Sequence, residues 1–131
     1  MKSFIINLLI SALLLIIPFY TYSLNSMSLV EYCKAYIKFK DMGKNSIKIE
    51  RADDPMLIVS LQMNYCVGYI NGFSDNYSLI QEKKICLPTE IEAYQIAKVY
   101  VKYLDDHPEK LHQNSNITFP EALNTYFPCA N

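Results

Sequence analysis

Tryptophan is absent, glycine occurs three times and histidine twice in a chain of 131 residues. No charged residue lies between Lys2 and Glu31, and no basic run exceeds Lys83-Lys84. Each scarcity removes a class of function. Without a glycine-rich loop there is no phosphate cradle, and neither a G-x-S-x-G elbow nor an H-E-x-x-H helix occurs. His107 and His112 are five residues apart, which does not align two ligands on one helical face. Without basic blocks the electrostatic footprint of a nucleic-acid binder is missing. The four cysteines, Cys33, Cys66, Cys86 and Cys129, are spaced by 33, 20 and 43 residues, so no C-x-x-C pair points to zinc. A chain of this length holds one domain at most.

What is present begins with an uncharged, apolar N-terminus. Lys2 precedes a core, Leu8–Ile17, broken only by Ser11, and Pro18 and the small residues Thr21 and Ser23 follow. A single basic residue, an apolar run and small residues read as a secretory signal peptide, residues 1–23, cleaved after Ser23. A membrane span needs about 20 apolar residues, and Asn7 and Pro18 interrupt this run on both sides. The expected mature chain, 24–131, is a single domain with 11 basic and 13 acidic side chains. Once cleaved it has no segment for a membrane. An even number of cysteines in a small exported chain implies two disulfides.

Helix start signals recur along this domain. Ser28-Leu-Val-Glu31, Thr89-Glu-Ile-Glu92 and Thr118-Phe-Pro-Glu121 have the S/T-x-x-E form of a capping box, and Asp54-Pro55 offers an acidic cap followed by proline. The pattern predicts helices over about 28–41, 55–75, 89–105 and 119–127, with one short turn from Pro108 to His112. Ser46–Glu50 could form a short strand. Leu29, Cys33, Tyr36 and Ile37 form the apolar face of the first helix. Met56, Val59, Met63, Cys66, Val67, Ile70 and Phe73 form that of the second, widened by Ile58, Leu61, Tyr65 and Tyr69. Ala93, Ile96, Ala97, Tyr100 and Leu104 line the third, and Ala122, Leu123, Tyr126 and Phe127 the last. The fold class is therefore all-α, a small four- to five-helix bundle stapled by two disulfides.

Two details of that bundle carry further expectations. Gly68 and Gly72 share one helical face and predict either close approach of a neighbouring backbone or a kink at Gly72. If the first three helices are antiparallel neighbours, Cys33 meets Cys86 at one end of the bundle and Cys66 is left for Cys129. His107 reads as a helix-terminal residue, and Asp105 and Asp106 as a solvated helix end. Nine tyrosines remain in the mature chain; Tyr36, Tyr65, Tyr69 and Tyr100 are expected in the core. Tyr77 lies in a polar loop, Ser74–Pro88, that is free to contact a partner.

The ordered set Cys66-Val-Gly68-Tyr69-Ile-Asn-Gly72, Cys86-Leu-Pro88, Gln95, Val101-Lys-Tyr103-Leu104-Asp-Asp-His107-Pro108-Glu109, Ala122-Leu123 and Phe127-Pro128-Cys129 resembles the Rap/Tai family of immunity proteins. That family protects Gram-negative bacteria against type VI secretion amidases. The similarity spans about residues 28–131. It implies a periplasmic helical protein, without cofactor or metal, that binds a peptidoglycan-cleaving amidase effector and blocks its cleft. The family includes homodimers, and a Tyr- and Ile-rich helix face could be self-complementary. The matching residues are framework rather than inhibitory surface, so the partner-binding candidates come from the polar loop: Asp75, Asn76, Tyr77, Gln81, Glu82, Lys83 and Lys84. A helical binding or chaperone-like module without a toxin partner shares the same framework. An enzyme using Cys or His is the third class.

Overall fold

The computed structural model describes residues 24–43, 55–78 and 84–130. Helices α1 (Ser26–Met42), α2 (Pro55–Ser78), α3 (Ala93–Asp106) and α4 (Ser115–Tyr126) carry the fold, with a 3-10 turn at Pro108–Lys110 between α3 and α4. The only pairing of extended backbone among the described residues is two isolated bridges, Asn25 with Asn114 and Ile85 with Pro128. The all-α reading holds. The signal peptide, the short strand at 46–50 and the Asp54 cap lie outside the described residues.

Helix α1 is flanked by α2 and α3, both antiparallel to it. Met42 and Met56 line the same cleft at one end of the α1–α2 pair. On its other side, Tyr36 meets Tyr94 edge-on and Lys34 pairs with Asp105 at 3.4 Å. Helix α4 closes the bundle by driving Phe119 between α2 and α3. The Phe119 ring lies 5.0–5.2 Å from those of Tyr69, Phe73 and Tyr100. Phe119, Leu29, Ile70, Tyr100, Leu104 and Leu123 are fully buried, each contributing about 1.5–3 kcal/mol by leaving water.

Tertiary contacts help to decide where α1 and α4 begin, and a local capping box decides it for α3. Asn25 caps α1 by accepting the Ser28 N–H at 2.9 Å, while the Ser26 and Met27 N–H groups donate to Gln113 and Leu111. The expected cap, Ser28, is therefore the third helical residue. Likewise α4 starts at Ser115, whose N–H and Oγ both donate to the Leu24 carbonyl at 3.0 and 2.7 Å. Thr118, expected as a cap, lies one turn inside and fully buried. Its hydroxyl meets Ser26 Oγ at 2.6 Å and the Tyr100 hydroxyl at 3.1 Å. At α3 the N-cap is Glu92 rather than Thr89, and the Glu92 N–H donates to the Gln95 side chain at 3.0 Å.

The disulfides join Cys33 to Cys66 and Cys86 to Cys129, not Cys33 to Cys86 and Cys66 to Cys129. The reason is helix length. Helix α2 continues for twelve residues beyond Cys66, about 18 Å at 1.5 Å per residue. Only seven residues of α1 precede Cys33, about 10 Å on the same scale. The middle of α2, not its end, therefore stands level with Cys33. The chain after α2 then runs antiparallel to the C-terminus. The Cys86 N–H donates to Phe127 and the Cys129 N–H to Lys84, at 2.8 and 3.2 Å, which leaves Cys86 opposite Cys129.

Candidate interaction surface

Helix α2 extends through Ser78, so Asp75, Asn76 and Tyr77 lie on its last turn instead of in a loop. Tyr77 is a framework group. Its hydroxyl accepts the N–H groups of Lys84 and Ile85 at 2.8 and 3.0 Å, and its ring stacks on Phe73. It therefore fixes the point where the chain returns toward α3. Asp75, Asn76 and Lys84 are exposed beside it; Gln81, Glu82 and Lys83 lie outside the described residues.

The framework residues divide between core and surface. Leu104 and Tyr103 are buried, Tyr69 and Phe127 half-buried, and Pro88 and Gln95 exposed. Pro128 forms the bridge to Ile85. His107 is the C-cap of α3, as expected for a helix-terminal residue, and Pro108 opens the 3-10 turn. The His107 ring packs on Tyr103, and its Nδ1 lies 3.3 Å from Glu109. Lys110 reaches back to donate to the Tyr103 hydroxyl and to Glu121 Oε2, both at 2.7 Å. These two acceptors push the Lys110 ammonium above its ordinary range, and Lys110 holds the Glu121 carboxyl below its own. The cluster ties the 3-10 turn to α3 and α4. Among the described residues, no three of His, Cys, Asp and Glu stand close enough to share a metal ion. Asp105 and Asp106 pair with Lys34 and Lys102 at an exposed helix end.

Two features assemble into an interaction surface. Between α1 and α2 lies an open cleft of about 520 Å³, walled by Lys34, Ala35 and Lys38 on one side and Met56, Val59 and Gln62 on the other. Beside it, the outer face of α2 exposes large apolar side chains: Ile58 is 62% exposed, Leu61 61% and Tyr65 51%. The expectation that these three widen a buried stripe is wrong. Cys66 and Ile70 face the core, and Ile58, Leu61 and Tyr65 turn away from it. The Tyr65 ring leans on Tyr32 of α1 at 5.3 Å. Gly68 and Gly72 are also exposed, and a Cβ at either meets nothing within 4 Å among the described residues. Among the described residues they admit no neighbouring backbone, and they do not end the helix.

The family model described as Rap1a immunity proteins matches residues 25–129. The chain belongs to the Rap1a immunity protein family. No curated protein and no solved structure matches it. The match begins at the α1 cap, Asn25, and ends at the last cysteine, Cys129, so it covers every helix described. As an immunity protein of the Rap1a family, the chain has a toxin effector as its implied partner. The exposed α2 face escaped sequence reasoning because two stripes of three- and four-residue spacing coexist on this helix. Periodicity finds both, but only the packing of α1, α3 and α4 tells which is covered.

Proposed function

We propose that this protein is a periplasmic immunity protein that binds a type VI secretion amidase effector and occludes its peptidoglycan-cleaving site. Binding is stoichiometric; the protein performs no turnover. Membership of the Rap1a immunity family over 25–129 carries this reading, and the two disulfides suit an oxidising compartment. Export agrees with the position of Leu24, whose carbonyl accepts both Ser115 hydrogen bonds. Cleavage after Ser23 keeps that carbonyl in the mature chain. The exposed end of α2, with Asp75, Asn76 and Lys84 around the Tyr77 bracket, is the rigid platform that we assign to the effector, together with Gln81, Glu82 and Lys83. We further propose that the effector meets a homodimer of this chain.

The test is reconstitution with the secreted amidase encoded beside the protein. Titration should abolish peptidoglycan hydrolysis at a fixed ratio, and charge reversal at Asp75 and Lys84 together should weaken inhibition without unfolding the chain. Failure to bind any co-encoded cell-wall enzyme would defeat the amidase reading. The mass of the protein released from the periplasm should correspond to a chain starting at Leu24.

A further inference from the structure

The cleft between α1 and α2 stays open because short side chains line it. Neither Ala35 nor Val59 reaches far enough to fill the space of about 520 Å³ between the two helices. On α1 the lining runs from Glu31 to Met42, about 16 Å at 1.5 Å per residue. An extended chain rises about 3.3 Å per residue, so the cleft matches the length of about five residues of a partner.

Two polar groups on its walls are unused by the chain's own structure. Lys38 is exposed, and among the described residues its ammonium has neither a carboxylate nor a hydrogen-bond partner. Lys34, one turn earlier, is already held by Glu31 and Asp105, both at 3.4 Å. Helix α2 has no charged residue before Asp75, so the facing wall offers Lys38 no counter-ion. Gln62 stands half-buried on that wall, and among the described residues its side-chain amide makes no hydrogen bond. A primary amide carries both donors and an acceptor, which is what one peptide group needs. Together these groups select a chemistry. A carboxylate suits Lys38, a backbone amide suits Gln62, and an apolar side chain suits the floor at Ala35 and Val59. A wholly apolar segment would bury the amide unpaired, and a basic one would meet Lys38 as a like charge.

We propose that the α1–α2 cleft holds an extended acidic segment of the toxin effector, its carboxylate on Lys38 and a peptide group on Gln62. The proposal rests on the effector reading for the identity of the partner. It adds a contact to the platform at the end of α2: Gln62 and Asp75 lie about 20 Å apart along that helix, a span that one standard interface covers.

The test mixes the processed, oxidised protein with the amidase encoded beside it. Carbodiimide should join Lys38 to an aspartate or glutamate of the amidase, read by mass spectrometry of the linked peptides. Lys38→Glu should raise the dissociation constant about ten-fold or more, and Gln62→Ala should raise it about three-fold. Lys40→Glu makes the same charge change on an exposed residue outside the cleft and should stay within about two-fold. Thermal unfolding of all three variants should follow the wild type, since none of these side chains has a partner among the described residues. Replacing the linked amidase carboxylate by lysine should restore binding to Lys38→Glu. Binding indifferent to both Lys38→Glu and Gln62→Ala overturns the cleft and leaves the immunity reading intact. Lys38 linked instead to a second copy of this chain overturns it too, as does a Lys40→Glu loss equal to that of Lys38→Glu. Wild-type protein that binds no amidase defeats the effector reading itself, and the occupant of the cleft with it.

Discussion

The two disulfides close loops of similar length, yet they serve different regions. Cys33–Cys66 spans 33 residues and lies fully buried between the middles of α1 and α2. Cys86–Cys129 spans 43 residues and joins two extended segments at the periphery, where Cys86 is exposed and Cys129 half-buried. Loop-closure entropy gives about 4 kcal/mol for either, so chain statistics cannot rank them. Burial does. The inner bridge is part of the packed core and shares its cooperativity, whereas the outer one fastens a flap that backbone hydrogen bonds already hold. A staple and a strap can therefore look alike in sequence and differ in consequence.

The largest expected effect is at the inner bridge. Replacing Cys33 and Cys66 together by alanine should cost about 5 kcal/mol, the loop term plus lost packing. That is a large share of the roughly 5–15 kcal/mol that holds a domain folded, and urea unfolding of the oxidised variant would measure it. Replacing Cys86 and Cys129 by serine should cost less, about 2–3 kcal/mol. The loss should be local, with faster hydrogen exchange at the Cys86 and Cys129 amides and little change in the α1–α2 core. Graded reduction offers the same contrast without mutation: the outer bridge should open first. Opening of the inner bridge first would break the comparison.

The core also depends on its buried hydroxyl cluster of Ser26, Tyr100 and Thr118. Thr118→Val keeps the shape but removes the oxygen shared by Ser26 and Tyr100, so it should cost about 1–3 kcal/mol. Thermal unfolding of the variant beside Thr118→Ser would read it, with the serine variant retaining most of the stability. The smallest effect belongs to the exposed ion pair. Lys110→Met should cost about 0.5–1 kcal/mol near neutral pH. The Glu121 carboxyl is held below its ordinary range by Lys110. Its contribution is therefore present above the unfolded carboxylate range and fades as acid protonates it in the fold. Lys110 is raised, so its share lasts until strongly alkaline pH. The gap between wild type and Lys110→Met in urea midpoint should accordingly close between neutral and acid conditions.

Much of the architecture could be read locally because helix periodicity is a local property. The stripe of Ala93, Ile96, Ala97, Tyr100 and Leu104 found its helix and faces inward or half-inward. His107-Pro108 marked the end of that helix. At Ser28 and Thr118 the capping signal lies inside the helix, since partners distant in sequence claim the first backbone donors of α1 and α4; at Thr89 the Glu92–Gln95 box three residues later caps α3 instead. Tyr77 looked free because the two N–H groups it accepts lie beyond the helix it ends.

The candidate surface was less legible than the fold. The sequence marks Asp75, Asn76 and Lys84 as polar and they are exposed, but helical spacing points Ile58, Leu61 and Tyr65 inward, and the structure turns them outward. Sequence alone determined the composition, the helical class, the ordered motif of the immunity family and the number of cysteines, because each is written in identity and local spacing. Tertiary structure alone decided which cysteines meet, which residues cap the helices and which stripe of α2 stays in water. Those outcomes depend on the relative lengths and offsets of helices packed side by side, and no stretch of chain carries that information by itself.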